Sequence, residues 1–177
     1  MGLGKTLQTI AFLLSEMQEA PEGANRRSLI VAPASLVYNW ESECARFAPE
    51  LQTKLVAGTQ EQRKEMIRSA GEREILITSY DLLRRDMELY QDLSFFCEII
   101  DEAQFIKNHA TQGAKAVKVV KAIDASFRLA LTGSPVENQL SELWSIFDYL
   151  MPGFLYGYQK FREQFELPIV RNSDEEL

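Results

Sequence analysis

Gly2-Leu3-Gly4-Lys5-Thr6 stands directly before the first stretch of helical periodicity in the chain, which is where a phosphate-binding loop must lie. Glycines let backbone N–H groups approach an anion, and a helix N-terminus favours negative charge. A lysine there reaches the β- and γ-phosphates of a nucleotide, and a threonine hydroxyl can ligate magnesium. Gly2, Leu3, Gly4, Lys5 and Thr6 are therefore candidate nucleotide-binding residues, with Thr6 also a candidate magnesium ligand. Taken alone the signal is weak, because a glycine-rich helix start with a solvated lysine reads the same way. The full pattern G-x-x-x-x-G-K-[ST] would begin two residues before Met1, and no strand precedes the loop to feed it. Met1 accordingly reads as the edge of a fragment whose first strand is missing.

Asp101-Glu102 supplies the second half of the chemistry, at the end of the apolar run 95–101. A buried strand ending in one acid is common. Downstream of a Lys-Thr loop, however, the pair reads as a magnesium-binding aspartate followed by a glutamate that polarises the attacking water. Lys5, Asp101 and Glu102 are thus the candidate catalytic residues.

Alternating elements must bring these groups together. Leu7, Ile10, Ala11, Leu14 and Met17 mark a helix from residue 5, and 19–27, with Pro21, Gly23 and Asn25, reads as a loop. The run 28–32 is a strand buried on both faces, and Val37, Trp40, Cys44 and Phe47 mark a second helix. A weak strand is expected over 54–57, a capping box at Thr59 and Gln62, a strand over 74–79 and a helix over 80–90. Beyond the strand at 95–101 come a helix over 111–122 and a strand over 127–132. A helical stripe of Leu140, Leu143, Trp144, Phe147, Leu150 and Met151 follows. Strands and helices alternating at this pitch imply right-handed βαβ units and a mainly parallel sheet of about five or six strands between two helical layers. Ligands of such folds sit at the carboxyl ends of the strands, so Lys5, Asp101 and Thr132 should converge at one edge.

Composition narrows the function classes. The 177 residues carry 19 Lys+Arg against 26 Asp+Glu, a net charge of -7, with 46% hydrophobic positions, as in one globular domain. No apolar run is long enough for a membrane helix, so no membrane partner is expected. Two cysteines and the single His109 leave no disulfide framework, His/Cys metal cluster or histidine-based triad. Acidic balance argues against a broad basic face for nucleic acid, though not against a local strip. Trp40, Trp144, Cys44 and Cys97 read as core residues, and Arg84, Arg85, Lys115, Lys118 and Lys121 as solvated helix faces.

Five segments, two of them containing the candidate catalytic residues above, follow one another in a specific order. Met-Gly-Leu-Gly-Lys-Thr-Leu-Gln (1–8), Val-Ala-Pro-Ala-Ser-Leu-Val-Tyr-Asn-Trp (31–40), Ile-Thr-Ser-Tyr (77–80), Asp-Glu-Ala-Gln (101–104) with Ile106-Lys107-Asn108, and Leu-Thr-Gly-Ser-Pro-Val-Glu-Asn (131–138) resemble successive motifs of the Swi/Snf family. These are DNA-translocating ATPases of helicase superfamily two. Leu143 to Asp148 and Met151-Pro152-Gly153 extend the likeness, whose wording resembles the bacterial branch.

The resemblance implies a three-layer αβα, RecA-like P-loop NTPase lobe over residues 1–165, truncated at its start, with a polar tail over 166–177 leading to a missing second lobe. It implies ATP and Mg2+ as cofactors, held by the residues named above. Gln104, Thr132, Gly133 and Ser134 would couple nucleotide state to movement, and Pro33, Ala34, Ser35, Thr78 and Ser79 would face the DNA backbone. Partners implied are double-stranded DNA, the second RecA-like lobe of the same parent chain, and a DNA-bound protein complex such as RNA polymerase. The setting implied is the bacterial cytoplasm, at the nucleoid. Gln104 stands where many relatives carry histidine, Ser134 where threonine is frequent, and Tyr156 where a small residue often follows. Two other readings stay open: a nucleotide- or DNA-binding module without turnover, and an RNA helicase of the same superfamily.

Overall fold

The computed structural model describes residues 4–106, 112–134 and 140–169. Its elements are α1 (Lys5–Glu19), β1 (Ser28–Ala32), α2 (Val37–Phe47), β2 (Gln52–Leu55), α3 (Gln60–Arg68), β3 (Glu74–Ser79) and α4 (Tyr80–Tyr90). Then come β4 (Ser94–Ile100), a 3-10 turn (Ala103–Ile106), α5 (Gln112–Lys121), β5 (Asp124–Ala130), α6 (Leu140–Leu150) and α7 (Tyr158–Phe161), which runs into a π turn (Arg162–Glu166). Helical backbone continues to residue 169, past the expected lobe boundary at 165, while the polar tail 171–177 lies outside the described residues.

All strand pairings are parallel, in the order β2-β3-β1-β4-β5. The apolar Ser-Leu-Ile-Val-Ala of β1 explains its central place: every residue is buried, as in a strand covered on both faces. One face packs Ile10 and Leu13 of α1 and Trp40 and Cys44 of α2 against Ile30, Ile75, Ile77 and Ile99. The other packs Leu83 of α4, Val120 of α5 and Ile146 and Tyr149 of α6 against Leu29, Val31, Leu76 and Ile100. The result is the three-layer αβα arrangement expected. With every strand parallel, the ends of β1, β3, β4 and β5 lie on one edge: Ala32 sits beside Ser79, Val31 beside Ile100, and Ile100 beside Ala130.

Three strands differ from their expected limits. β4 spans Ser94–Ile100 rather than 95–101, which leaves Asp101 just past its end. β2 occupies Gln52–Leu55 rather than 54–57, because its register with β3 starts at Gln52 opposite Glu74; a half-polar edge strand shows little hydrophobic pattern. β5 starts at Asp124 and ends at Ala130 rather than spanning 127–132, because pairing begins where Ser94 meets Asp124, with the Ser94 hydroxyl 2.6 Å from Asp124 Oδ2. Thr132 therefore sits in the loop beyond the strand. The Thr59 capping box forms as read: Thr59 Oγ1 accepts from the Gln62 N–H at 3.3 Å, and Gln62 Oε1 accepts from the Thr59 N–H at 2.9 Å.

Candidate nucleotide site

Gly4 ends the loop and begins α1. Its φ of 69° lies in the left-handed region, which glycine enters without strain and other residues rarely do. No side chain caps α1 and its first turn carries no acid, so the positive end of a 15-residue helix is available to an anion. Lys5 and Thr6 follow on the first turn, half-buried. Gly2 and Leu3 lie outside the described residues.

Across from α1, the sheet ladder runs past the end of β4. Asp101 N–H donates to the Val31 carbonyl at 2.8 Å and Leu131 N–H to the Ile100 carbonyl at 2.8 Å, which fixes the backbone that carries the acidic pair. Asp101 is buried, at 8% exposure. Its Oδ1 accepts from the Glu102 N–H at 2.8 Å, and its Oδ2 accepts from the indole N–H of Trp40 at 2.9 Å. The Tyr80 hydroxyl donates to the Asp101 carbonyl at 2.8 Å. Burial first, and then the nearby Asp101 carboxylate, push the Tyr80 phenol well above its ordinary range, so it remains a donor. Glu102 has φ 51°, a left-handed conformation costing a non-glycine residue about 1–3 kcal/mol. Its side chain is half-buried and borders an open cleft.

Gly4, Lys5, Thr6, Asn39, Trp40, Glu43, Asp101 and Glu102 border one open cleft of about 400 Å³, a volume within the range of small-ligand sites. The donor set fits a magnesium–nucleotide complex. It offers a lysine and a helix N-terminus for phosphates, and a hydroxyl and a carboxylate oxygen for a hard cation. Among the described residues no group of three or more His, Cys, Asp or Glu forms a cluster that could hold a metal by itself.

A chain of hydrogen bonds leads away from the cleft. Gln104 Nε2 donates to a Glu102 carboxylate oxygen. Thr132 Oγ1 donates to Gln104 Oε1 at 3.3 Å and accepts from the Ser134 N–H at 3.1 Å. Gln104, Thr132 and Ser134 are thereby joined to the acidic pair, while Gly133 lies between them in the turn, with open space where a Cβ would stand. Thr132 is not on the cleft wall itself; it reaches the acids through Gln104.

The chain matches the SNF2-related domain over residues 1–177. It belongs to that family. Among the relatives are an uncharacterized ATP-dependent helicase of Mycoplasma pneumoniae, 44% identical over 94% of this chain and 16% of its own length. The TATA-binding protein-associated factor MOT1 of Saccharomyces cerevisiae is 40% identical over 98% of this chain and 10% of its own. The putative ATP-dependent helicase/translocase YwqA of Bacillus subtilis is 37% identical over 99% and 18%. This SNF2-related domain thus spans less than a fifth of the length of these relatives. In the Sulfolobus solfataricus SWI2/SNF2 ATPase core, solved in complex with double-stranded DNA, a matching region has TM-score 0.81 and 38% identity. It covers 97% of this chain and 34% of that one.

The segments expected to face DNA divide in two. Ala34 and Ser35 are exposed, with Pro33 half-buried, in a turn closed by Leu36 N–H to the Pro33 carbonyl at 2.8 Å. Thr78 and Ser79 are buried, at 1% and 4%. The Thr78 hydroxyl points to the Val56 carbonyl, and Ser79 Oγ accepts from the Leu82 N–H to cap α4. Ser79 Oγ acts there as an acceptor, which leaves its own proton uncommitted.

This SNF2-related domain also assigns residues that the sequence reading placed elsewhere. Trp40 is in the core as expected, at 1% exposure, but its N–H belongs to the site. A buried indole needs an acceptor, and that was the available signal. Asn39 and Glu43, neighbours of Trp40 on α2, border the cleft without a motif to announce them. Cys44 and Cys97 are fully buried core residues, as expected, and burial pushes their thiols up to about 11 and about 12. Lys121 is paired with Asp148 at 2.6 Å rather than simply solvated.

Proposed function

We propose that residues 1–165 of this SNF2-related domain form the N-terminal, ATP-binding lobe of a DNA-stimulated ATPase that translocates on double-stranded DNA. Residues 166–177 then lead toward a second RecA-like lobe of the same parent chain. The carrying observation is the single cleft that unites Lys5 and Thr6 on the α1 N-terminus with Asp101 and Glu102 at the end of β4. Lys5 and the first-turn amides would bind the ATP phosphates, with Gly2 and Leu3 completing the loop. Thr6 and Asp101 would hold magnesium, which when bound supplies positive charge at the phosphates, and Glu102 would orient and polarise the attacking water. Names and titles of the relatives support ATP as the cofactor and DNA as the partner.

Exposed Ala34 and Ser35, with Pro33, would lie against the DNA backbone, where hydroxyls and amides contact phosphate without much net positive charge. Displacement of a DNA-bound complex such as RNA polymerase, in a bacterial cytoplasm at the nucleoid, is the setting this reading favours.

The test uses a parent chain carrying both lobes. Glu102→Gln should lower DNA-stimulated hydrolysis by about a hundredfold or more and leave ATP binding intact, because the amide keeps the shape but polarises water poorly. Lys5→Ala should weaken nucleotide binding by removing a charge aimed at the phosphates. Equal losses of affinity in both variants would overturn the separation of roles. A parent without DNA-stimulated turnover would favour a binding module instead.

A further inference from the structure

Asp101 is held at four atoms, and two of the holders are aromatic side chains from different helices. Trp40 of α2 donates its indole N–H to Oδ2 at 2.9 Å, and Tyr80 of α4 donates its hydroxyl to the main-chain oxygen at 2.8 Å. Both are buried, at 1% and 9% exposure. The Tyr80 ring also lies flat against Phe105, with centroids 5.4 Å apart and planes 6° apart. A carboxylate taken this far out of water needs a donor. Arginine or lysine would supply one but would cancel the charge a cation requires. The indole is a neutral donor with no acceptor of its own; it fixes the rotamer and leaves the negative charge in place.

We propose, resting on the magnesium–nucleotide reading above, that Trp40 and Tyr80 are positioning residues for Asp101. Trp40 aims the carboxylate into the cleft, and Tyr80 pins the backbone that carries it. Both would act through Asp101, although Trp40 also borders the cleft. Outer partners of this kind orient metal ligands, and their loss typically costs about 10–100-fold in metal affinity. Trp40 has a second consequence through α2. That helix begins just after the exposed turn at Pro33, Ala34 and Ser35, so a single indole hydrogen bond connects the helix behind the proposed DNA-facing turn to the metal carboxylate.

The experiment compares Trp40→Phe, Tyr80→Phe and Asp101→Asn with wild type in the two-lobe parent. Mn2+ binding in the presence of a non-hydrolysable ATP analogue is read by electron paramagnetic resonance. Analogue binding without metal and the melting temperature are measured on the same preparations. Trp40→Phe should weaken Mn2+ binding about tenfold or more, raise the Mg2+ concentration that half-saturates the ATPase, and leave metal-free analogue binding unchanged. Tyr80→Phe keeps the ring and its stacking, and should act in the same direction. It carries the test if the tryptophan variant does not fold. Mn2+ affinity within about twofold of wild type in either folded variant, while Asp101→Asn loses it, would overturn the proposal and spare the site. Mn2+ affinity indifferent to Asp101→Asn would instead overturn the nucleotide reading on which it rests.

Discussion

Thr132→Val isolates the link between the acidic pair and the loop after β5, since valine keeps the β-branched shape and removes only the hydroxyl. That hydroxyl donates to Gln104 Oε1 at 3.3 Å and accepts from the Ser134 N–H at 3.1 Å, and Gln104 in turn holds Glu102. Each net hydrogen bond contributes about 0.5–1.5 kcal/mol. The longer, half-buried one belongs at the low end, so the expected loss is about 1–2 kcal/mol. For a domain of this size that is a fall in melting temperature of about 2–8 °C. A merely structural hydroxyl stops there. A coupling hydroxyl should also lower the distance moved per ATP, and coupling energies of about 0.5–2 kcal/mol correspond to roughly two- to thirtyfold. ATP binding and most DNA-stimulated turnover should survive, because Lys5, Asp101 and Glu102 are untouched. ATPase rate and triplex-strand displacement, measured on one preparation of the two-lobe parent, give displacement per ATP. A lowered melting temperature with unchanged displacement per ATP would refute the coupling role of Thr132.

Three other outcomes are expected. The isolated 177-residue chain should show negligible ATPase activity even with DNA, because an arginine from a second lobe can contribute roughly a thousandfold or more; vigorous turnover would contradict the two-lobe reading. Arg63→Ala should cost about 3–5 kcal/mol by urea unfolding. It strips Asp86, 3% exposed, of a two-pronged partner at 2.5 and 2.9 Å; a cost under about 1 kcal/mol would show that water replaces the pair. Glu98, fully buried on β4, is pushed up from 4.5 to about 8 by burial, against the pull of Arg128. The folded state then retains a proton that the unfolded chain releases between those values, so stability should fall as pH rises from about 4.5 to 8 and level off above it. Glu98→Gln should flatten that slope in urea titrations at pH 5.5 and 8, and an unchanged slope would assign it to other groups.

Periodicity was informative wherever an element buries itself by its own composition. β1 and β3 lie where their apolar runs end, α4 spans the residues read for it, and the Thr59 capping box closes as its spacing demands. Local chemistry likewise singled out Lys5, Thr6, Asp101 and Glu102, which the structure brings to one cleft. The limits of β2 and β5 were hidden, for edge strands are bounded by the partner they pair with rather than by their own pattern.

Which hydroxyls are exposed was hidden as well. Ser35 follows the end of β1 and Ser79 closes β3, yet one is open to solvent and the other caps a helix. The sequence alone thus determined the order of elements, the αβα class and the candidate residues of the cleft, because these follow from local composition and spacing. Only the tertiary structure decided that Trp40, 61 residues from Asp101, would lend it an indole N–H, and that Thr132 would reach Glu102 through Gln104. The physical reason is that the direction of a hydrogen bond between distant segments depends on how helices settle on the sheet, and no residue encodes that by itself.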